Sequence, residues 1–263
     1  AHWEVIHYLR DYFLEHGVRR EPDPPRSIPA PPALYPDRRN SRGLDLSDES
    51  VLRHVEPLLA ARQRPHAAGP MLAHARPAAR ARTTIVNPAD RTDVVGSVEE
   101  ADAADAAHAI DAAVAEGRAW SQRDAASRAD CLEQAADAIE AARDQLVQLA
   151  LREAGKTLAN AIGEIREAAD FCRYYAGQAR RTLIDARPRG PIVCISPWNF
   201  PLAIFAGQVS AALAAGNPVL AKPAEQTPLM AAAAVRLFHE AGVPAAALQL
   251  LPGRGETVGA ALA

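Results

Sequence analysis

The sequence predicts an α/β fold, in which a helical segment precedes half of a doubly wound parallel sheet. Three observations carry this reading. Apolar runs of strand length recur late in the chain, at 191–196 (PIVCIS), 218–222 and 247–251. Helical patterns at about 202–215 and 228–241 fill the two intervals between them. Each of those helices stops at a glycine, Gly216 and Gly242. Strand alternating with helix in this way builds a parallel sheet with helices on its faces. Its crossovers are expected to be right-handed, with any ligand beyond the carboxyl ends of the strands.

The elements follow in order. Residues 2–16 place Val5, Ile6, Leu9, Tyr12 and Phe13 on one face of a short helix that ends near Gly17. Seven prolines between Pro22 and Pro36 make an extended linker. Ser47 reads as the N-cap of a helix running to about Arg62, with Asp48 and Glu49 in its first turn. Pro65, Gly69, Pro70 and Pro77 then interrupt the chain. Ordered domain signals begin near Arg82: a strand over 83–86, a turn at Asn87-Pro88, and a strand over 93–98. Helices are expected at about 99–116, 124–141, 143–154 and 157–179. In the last, Leu158, Ile162, Ile165, Ala169 and Cys172 form a stripe of core spacing, so Cys172 reads as core. The run at 191–196 reads as a strand covered on both faces, and 253–259 as a turn into a final helix. The division is 1–81, a helical and proline-rich segment, and 82–263, the α/β part.

Composition narrows the function. Among 263 residues, 49% are hydrophobic and 23% charged, as in ordinary globular domains. The net charge of −3, with no basic run, leaves no footprint for nucleic acid. Cys131, Cys172 and Cys194 are far apart and odd in number, which suits a reducing, cytoplasmic setting without a zinc site or other metal. No window has the apolar length of a membrane span, and the start, Ala1-His2-Trp3-Glu4, has no signal-peptide pattern. The lack of an initiating Met and the end inside an Ala-rich run suggest a segment of something longer.

Three polar groups fall at strand ends: 196–201 (SPWNFP), 222–225 (KPAE) and 253–259 (GRGETVG). An α/β sheet places its ligand there. Each group has a plainer reading. Asn199 is well placed to cap the following helix, with Pro201 in its first turn. Lys222 and Glu225 are also acceptable as solvated residues. The glycines, spaced GxGxxxG after the third strand, suit a tight turn as well as a phosphate site.

The segments 195–202 (ISPWNFPL) and 216–228 (GNPVLAKPAEQTP), with 241–244 (AGVP), 251–255 (LPGRG), 153–157 (EAGKT) and 87–89 (NPA), strongly resemble the aldehyde dehydrogenase superfamily over roughly 82–263. Residues 38–48 (RRNSRGLDLSD), 171–176 (FCRYYA) and 194–205 look like the dehydrogenase half of bifunctional proline-utilization flavoenzymes. No likeness to a proline dehydrogenase barrel is visible. The resemblance implies the N-terminal part of an aldehyde dehydrogenase fold and NAD-dependent oxidation of L-glutamate γ-semialdehyde to L-glutamate. It implies Asn199 as the amide that stabilises the oxyanion. It implies Ile195, Ser196, Pro197, Trp198, Lys222, Glu225 and Gly255 as cofactor-binding residues, Lys222 and Glu225 at the adenosine ribose. A carboxylate there favours NAD over NADP. Phe200 is implied as a wall of the aldehyde pocket.

In that family the nucleophilic Cys and the general-base Glu lie further along than Ala263, and none of the three cysteines here matches the nucleophile. The expectation is therefore a polypeptide without aldehyde oxidation activity on its own. A noncatalytic dehydrogenase-like module that binds a nucleotide or partner, and a dehydrogenase of another aldehyde, are the competing readings. The stretch from Thr182 to Pro188 leads, by resemblance, toward an intersubunit hairpin, so a homodimer is expected of a complete domain.

Overall fold

Short strands of β-branched and apolar residues, separated by Ala-rich helices, assemble as two three-stranded sheets. The computed structural model describes residues 39–60, 65–78 and 80–263. The helix expected over 2–16 and the proline-rich linker lie outside the described residues.

The first helix, α1 (Glu49–Ala60), is capped by Asp48 rather than Ser47. Asp48 Oδ1 accepts from the Ser50 amide at 2.8 Å. Ser47 is unavailable because its amide and hydroxyl both donate to Asp45 Oδ1, at 2.9 and 2.6 Å. The local Asx turn wins over the cap. Upstream of it, Ser41 donates from its amide to Asp170 and from its hydroxyl to Glu140, which lays this segment across two long helices.

The first sheet contains β1 (His66–Ala68), β2 (Arg82–Val86) and β3 (Val94–Glu99) in the order β1-β3-β2. β2 and β3, the two strands expected on either side of the Asn87-Pro88 turn, pair antiparallel, and β1 joins β3 in parallel. Three residues, His-Ala-Ala, carry no alternation, so β1 leaves no trace in sequence periodicity. Gly96 does record its approach: a Cβ there would stand 2.2 Å from the His66 carbonyl oxygen.

Helices α2 (Ala103–Ala115), α3 (Arg118–Gln122), α4 (Ala125–Ala141), α5 (Arg143–Ala154) and α6 (Leu158–Arg181) follow. α2 starts later than its pattern suggests, because β3 runs to Glu99 and Asp102 and Asp105 form a capping box. α3 is a single short turn that periodicity does not detect; it is fixed by buried Trp120, whose indole donates to the Leu213 carbonyl at 3.1 Å. Asp124 caps α4 and Thr157 caps α6. On α6, Ile162, Ile165, Ala169 and Cys172 are all buried, as their spacing requires.

The second sheet is the parallel one: β4 (Ile192–Ile195), β5 (Val219–Lys222) and β6 (Leu248–Leu250), in that order. α7 (Ala203–Ala214) and α8 (Pro228–Glu240) connect them. Gly216 ends α7 with φ 82, a left-handed turn that a side chain would strain. β5 is buried throughout, whereas β4 departs from the expectation of a strand covered on both faces. Ile192 and Val193 are half-buried and Ile195 is 53% exposed. Among the described residues β4 is an edge strand of this sheet, and unlike β6, the other edge, which Met71 bridges at Leu250, it has no further backbone partner. A continuous apolar run records hydrophobicity and cannot say which neighbour covers it. After β6 the chain makes a wide helical turn, Gly255–Gly259, that continues into Ala260–Leu262.

Candidate active site

The parallel register sets the site. Ile195 lies opposite Lys222, and the Ser196 amide donates to the Lys222 carbonyl at 3.2 Å, so the tips of β4 and β5 end side by side. The Leu251 amide donates to the Ala221 carbonyl at 2.9 Å, which brings the end of β6 alongside. All three polar groups noted in the sequence therefore emerge from the carboxyl edge of one sheet.

The second and third groups touch. Glu225 is exposed, and its Oε1 accepts from the Gly255 amide at 2.8 Å. Lys222 is buried, with Nζ donating to the Pro223 carbonyl at 3.2 Å. Burial pushes its ammonium below the usual lysine range, and the charges of Glu225 and Glu256 partly restore it. Its stem lies against Gly259, where a Cβ would meet Lys222 Cε at 3.6 Å. A cavity of about 440 Å³ opens beside these residues, lined among others by Glu100, Glu225, Gly253, Arg254 and Glu256. Arg254 faces Glu100 across 3.6 Å.

The first group is a short loop between β4 and α7. Ser196 is buried and Pro197 half-buried, while Trp198, Asn199 and Phe200 are exposed. Asn199 does not cap α7. Leu202 occupies the cap position and makes no side-chain cap bond. Glu164 of α6 reaches over instead, its Oε1 accepting from the amides of Leu202 at 2.8 Å and Ala203 at 3.2 Å. Asn199 Oδ1 is thus not held by a cap, and no hydrogen bond fixes the Asn199 side chain among the described residues.

α8 is served in the same manner. Glu153, at the end of α5, accepts from the amides of Leu229 at 2.6 Å and Met230 at 2.8 Å. Its burial pushes the carboxyl up to about 8, although those two amides favour the charged form. The segment 153–157 carries a family likeness, but no role for Glu153, Lys156 or Glu164 is read from the sequence. A signal was present for Glu164, which falls on the buried face of α6 next to Ile165, where an unpaired carboxylate would be costly.

The three thiols are buried. Burial pushes Cys172 up to about 12 and Cys194 up to about 11, and raises Cys131 as well. A thiol so raised is protonated at neutral pH and a poor nucleophile. The arrangement can bind, orient and donate hydrogen bonds, and it holds no activated nucleophile among the described residues.

The aldehyde dehydrogenase family matches residues 75–263, and the chain belongs to that family. The fold is accordingly that of a partial aldehyde dehydrogenase domain. Bifunctional protein PutA of Rhizobium meliloti is 54% identical over 237 residues, covering 89% of this chain and 19% of that protein. Proline utilization A from Bdellovibrio bacteriovorus superposes with a TM-score of 0.81 at 32% identity, over 89% of this chain and 26% of that one. A Thermus 1-pyrroline-5-carboxylate dehydrogenase solved with bound NAD gives 0.78 at 29% identity, over 90% and 48%. The chain thus spans about a fifth of the first relative's length and about half of the last.

Proposed function

We propose that this chain supplies the cofactor-facing part of an NAD-dependent dehydrogenase that oxidises L-glutamate γ-semialdehyde to L-glutamate in proline catabolism. The observation that carries the reading is the convergence of Lys222, Glu225 and Gly255 at one sheet edge, beside a loop that leaves the Asn199 amide uncommitted. The likeness to PutA and to 1-pyrroline-5-carboxylate dehydrogenase supports the substrate.

The residues fit a dinucleotide. Lys222 is a buried ammonium with three donors and a bond to the Pro223 carbonyl, so it retains donors for ribose hydroxyls. Glu225 would accept from those hydroxyls and repel a 2′-phosphate, favouring NAD over NADP. Ile195, Ser196, Pro197 and Trp198 would line the same cleft. Bound NAD would supply the hydride acceptor. Asn199 would donate from its NH₂ to the aldehyde oxygen, stabilising negative charge there without itself titrating. Losing one such donor costs about 3 kcal/mol of transition-state stabilisation. Phe200 would wall the aldehyde side.

The buried thiols support a second statement: this polypeptide on its own binds the cofactor without oxidising the aldehyde. Calorimetric titration of the purified chain with NAD and NADP, with NADH absorbance followed in the presence of the semialdehyde, tests both. NAD binding that weakens about tenfold in Glu225→Ala, with no NADH formed, is the expected result. Equal affinity of the unsubstituted chain and Glu225→Ala for NAD would remove the ribose assignment, and steady turnover would remove the second statement.

A further inference from the structure

The geometry points to Glu164, paired with Lys156, as the positioning residue that holds the Asn199 loop while leaving the Asn199 amide free. This deepens the proposed function and rests on it for the role of Asn199.

The first turn of a helix has amides without intrahelical partners, and the side chain of the cap residue usually accepts from them. At α7 the cap residue is Leu202, which has no acceptor. The nearby Asn199 has one, and capping would fix its side chain against the backbone. Glu164 removes that demand from 38 residues upstream, taking both the Leu202 and Ala203 amides on one oxygen. Its other oxygen lies 2.9 Å from Lys156 Nζ, with the carboxylate almost fully enclosed, so the charge is balanced where it is buried. The same ammonium lies 4.2 Å from the centroid of the Phe200 ring, next to Asn199 in sequence. One ion pair therefore grips the loop at Phe200 and at the start of α7, on the carboxyl side of the residue it presents.

The Lys222–Glu225 loop has its own fastening, because Glu153 holds the first amides of α8. The two carboxylates come from adjoining elements, α5 and α6, and each secures the helix that follows one site loop. Disturbing Glu164 is thus expected to release the Asn199 loop and leave the cofactor loop in place.

Hydrogen exchange on the isotopically labelled 263-residue chain, with NAD titration of the same samples, tests this. In Glu164→Ala the Leu202 and Ala203 amides exchange faster by about tenfold or more, and the Asn199 NH₂ resonances shift. In Glu164→Gln the retained carbonyl oxygen restores that protection, while Phe200 ring resonances move because Lys156 has lost its partner. NAD affinity falls in both variants by less than the roughly tenfold expected of Glu225→Ala, because the Lys222–Glu225 loop keeps its own fastening at Glu153. Unchanged exchange at Leu202 and Ala203 in the Ala variant overturns the inference. So does equal acceleration at Leu220 and Ala221 in β5, which would show general loosening, or a Gln variant that restores nothing. If the unsubstituted chain binds no NAD, the cofactor reading fails, and the exchange pattern still decides the positioning role.

Discussion

Replacing Glu153 by Gln should flatten the pH dependence of this chain's stability between pH 5 and 8.5. Glu153 is a carboxyl held up to about 8 by burial, against an ordinary value of 4.5. The native state therefore binds a proton that the unfolded chain has already released over most of that interval. The stability it contributes is complete below about pH 4.5 and is lost as pH rises through about 8. At about 1.4 kcal/mol per tenfold change, the gap corresponds to on the order of 5 kcal/mol. In the Gln variant one carbonyl oxygen still accepts from Leu229 or Met230, the NH₂ replaces the second acceptor, and no proton is linked to folding, so the variant is less stable by a pH-independent amount. Urea unfolding of both proteins at half-unit pH steps, followed by tryptophan fluorescence, gives two stability curves. Their difference isolates Glu153, because His66, which burial pushes the other way, contributes equally to both. A wild-type curve that descends relative to the variant is the expected outcome. A difference that stays level from pH 5 to 8.5 would mean that Glu153 is ionised throughout, with its amide partners outweighing desolvation.

Three further outcomes follow from the packing. Gly96→Ala drives a methyl into the His66 carbonyl; the forced separation of β1 from β3 should cost about 1–3 kcal/mol or more in chemical denaturation. Asp105 is fully buried and bridges Arg76 and Arg80, each at 2.8 Å. Asp105→Ala should destabilise by about 3–5 kcal/mol, with Asp102→Ala milder because that carboxylate is half-exposed. The three buried cysteines should react with a thiol reagent only as fast as the chain unfolds, and all three should react at once in denaturant. A fast-labelling native thiol would contradict the burial described for it.

Much of the architecture is legible in the sequence, because its longer elements carry strong periodicity and explicit stops. α4, α5 and the parallel strands fall within a residue or two of their patterns, since Asp124, Gly155 and Gly216 mark boundaries that local chemistry sets. β1 and α3 are invisible for the opposite reason: each depends on a partner far along the chain, β3 for one and Leu213 for the other. The exposure of β4 was illegible because covering is a property of neighbours. At the candidate site, sequence resemblance singled out Asn199, Lys222 and Glu225, and strand register explains why the segments that carry them share an edge. The two carboxylates behind the loops were missed: the burial of Glu164 was legible from its place on the α6 stripe, but a cap contributed from another helix has no spacing rule that names its target.

The outer position of β4 has a practical consequence. Among the described residues the far side of β4 has no partner strand: Val193 and Ile195 turn their peptide groups away from β5, and the prolines that blunt this rim, Pro191 and Pro197, stand only at its two ends. Such a rim can zip onto an identical one from another molecule. Concentrated preparations should therefore drift toward self-association through this ribbon of backbone, and a charged residue in place of Ile195 should keep them dispersed.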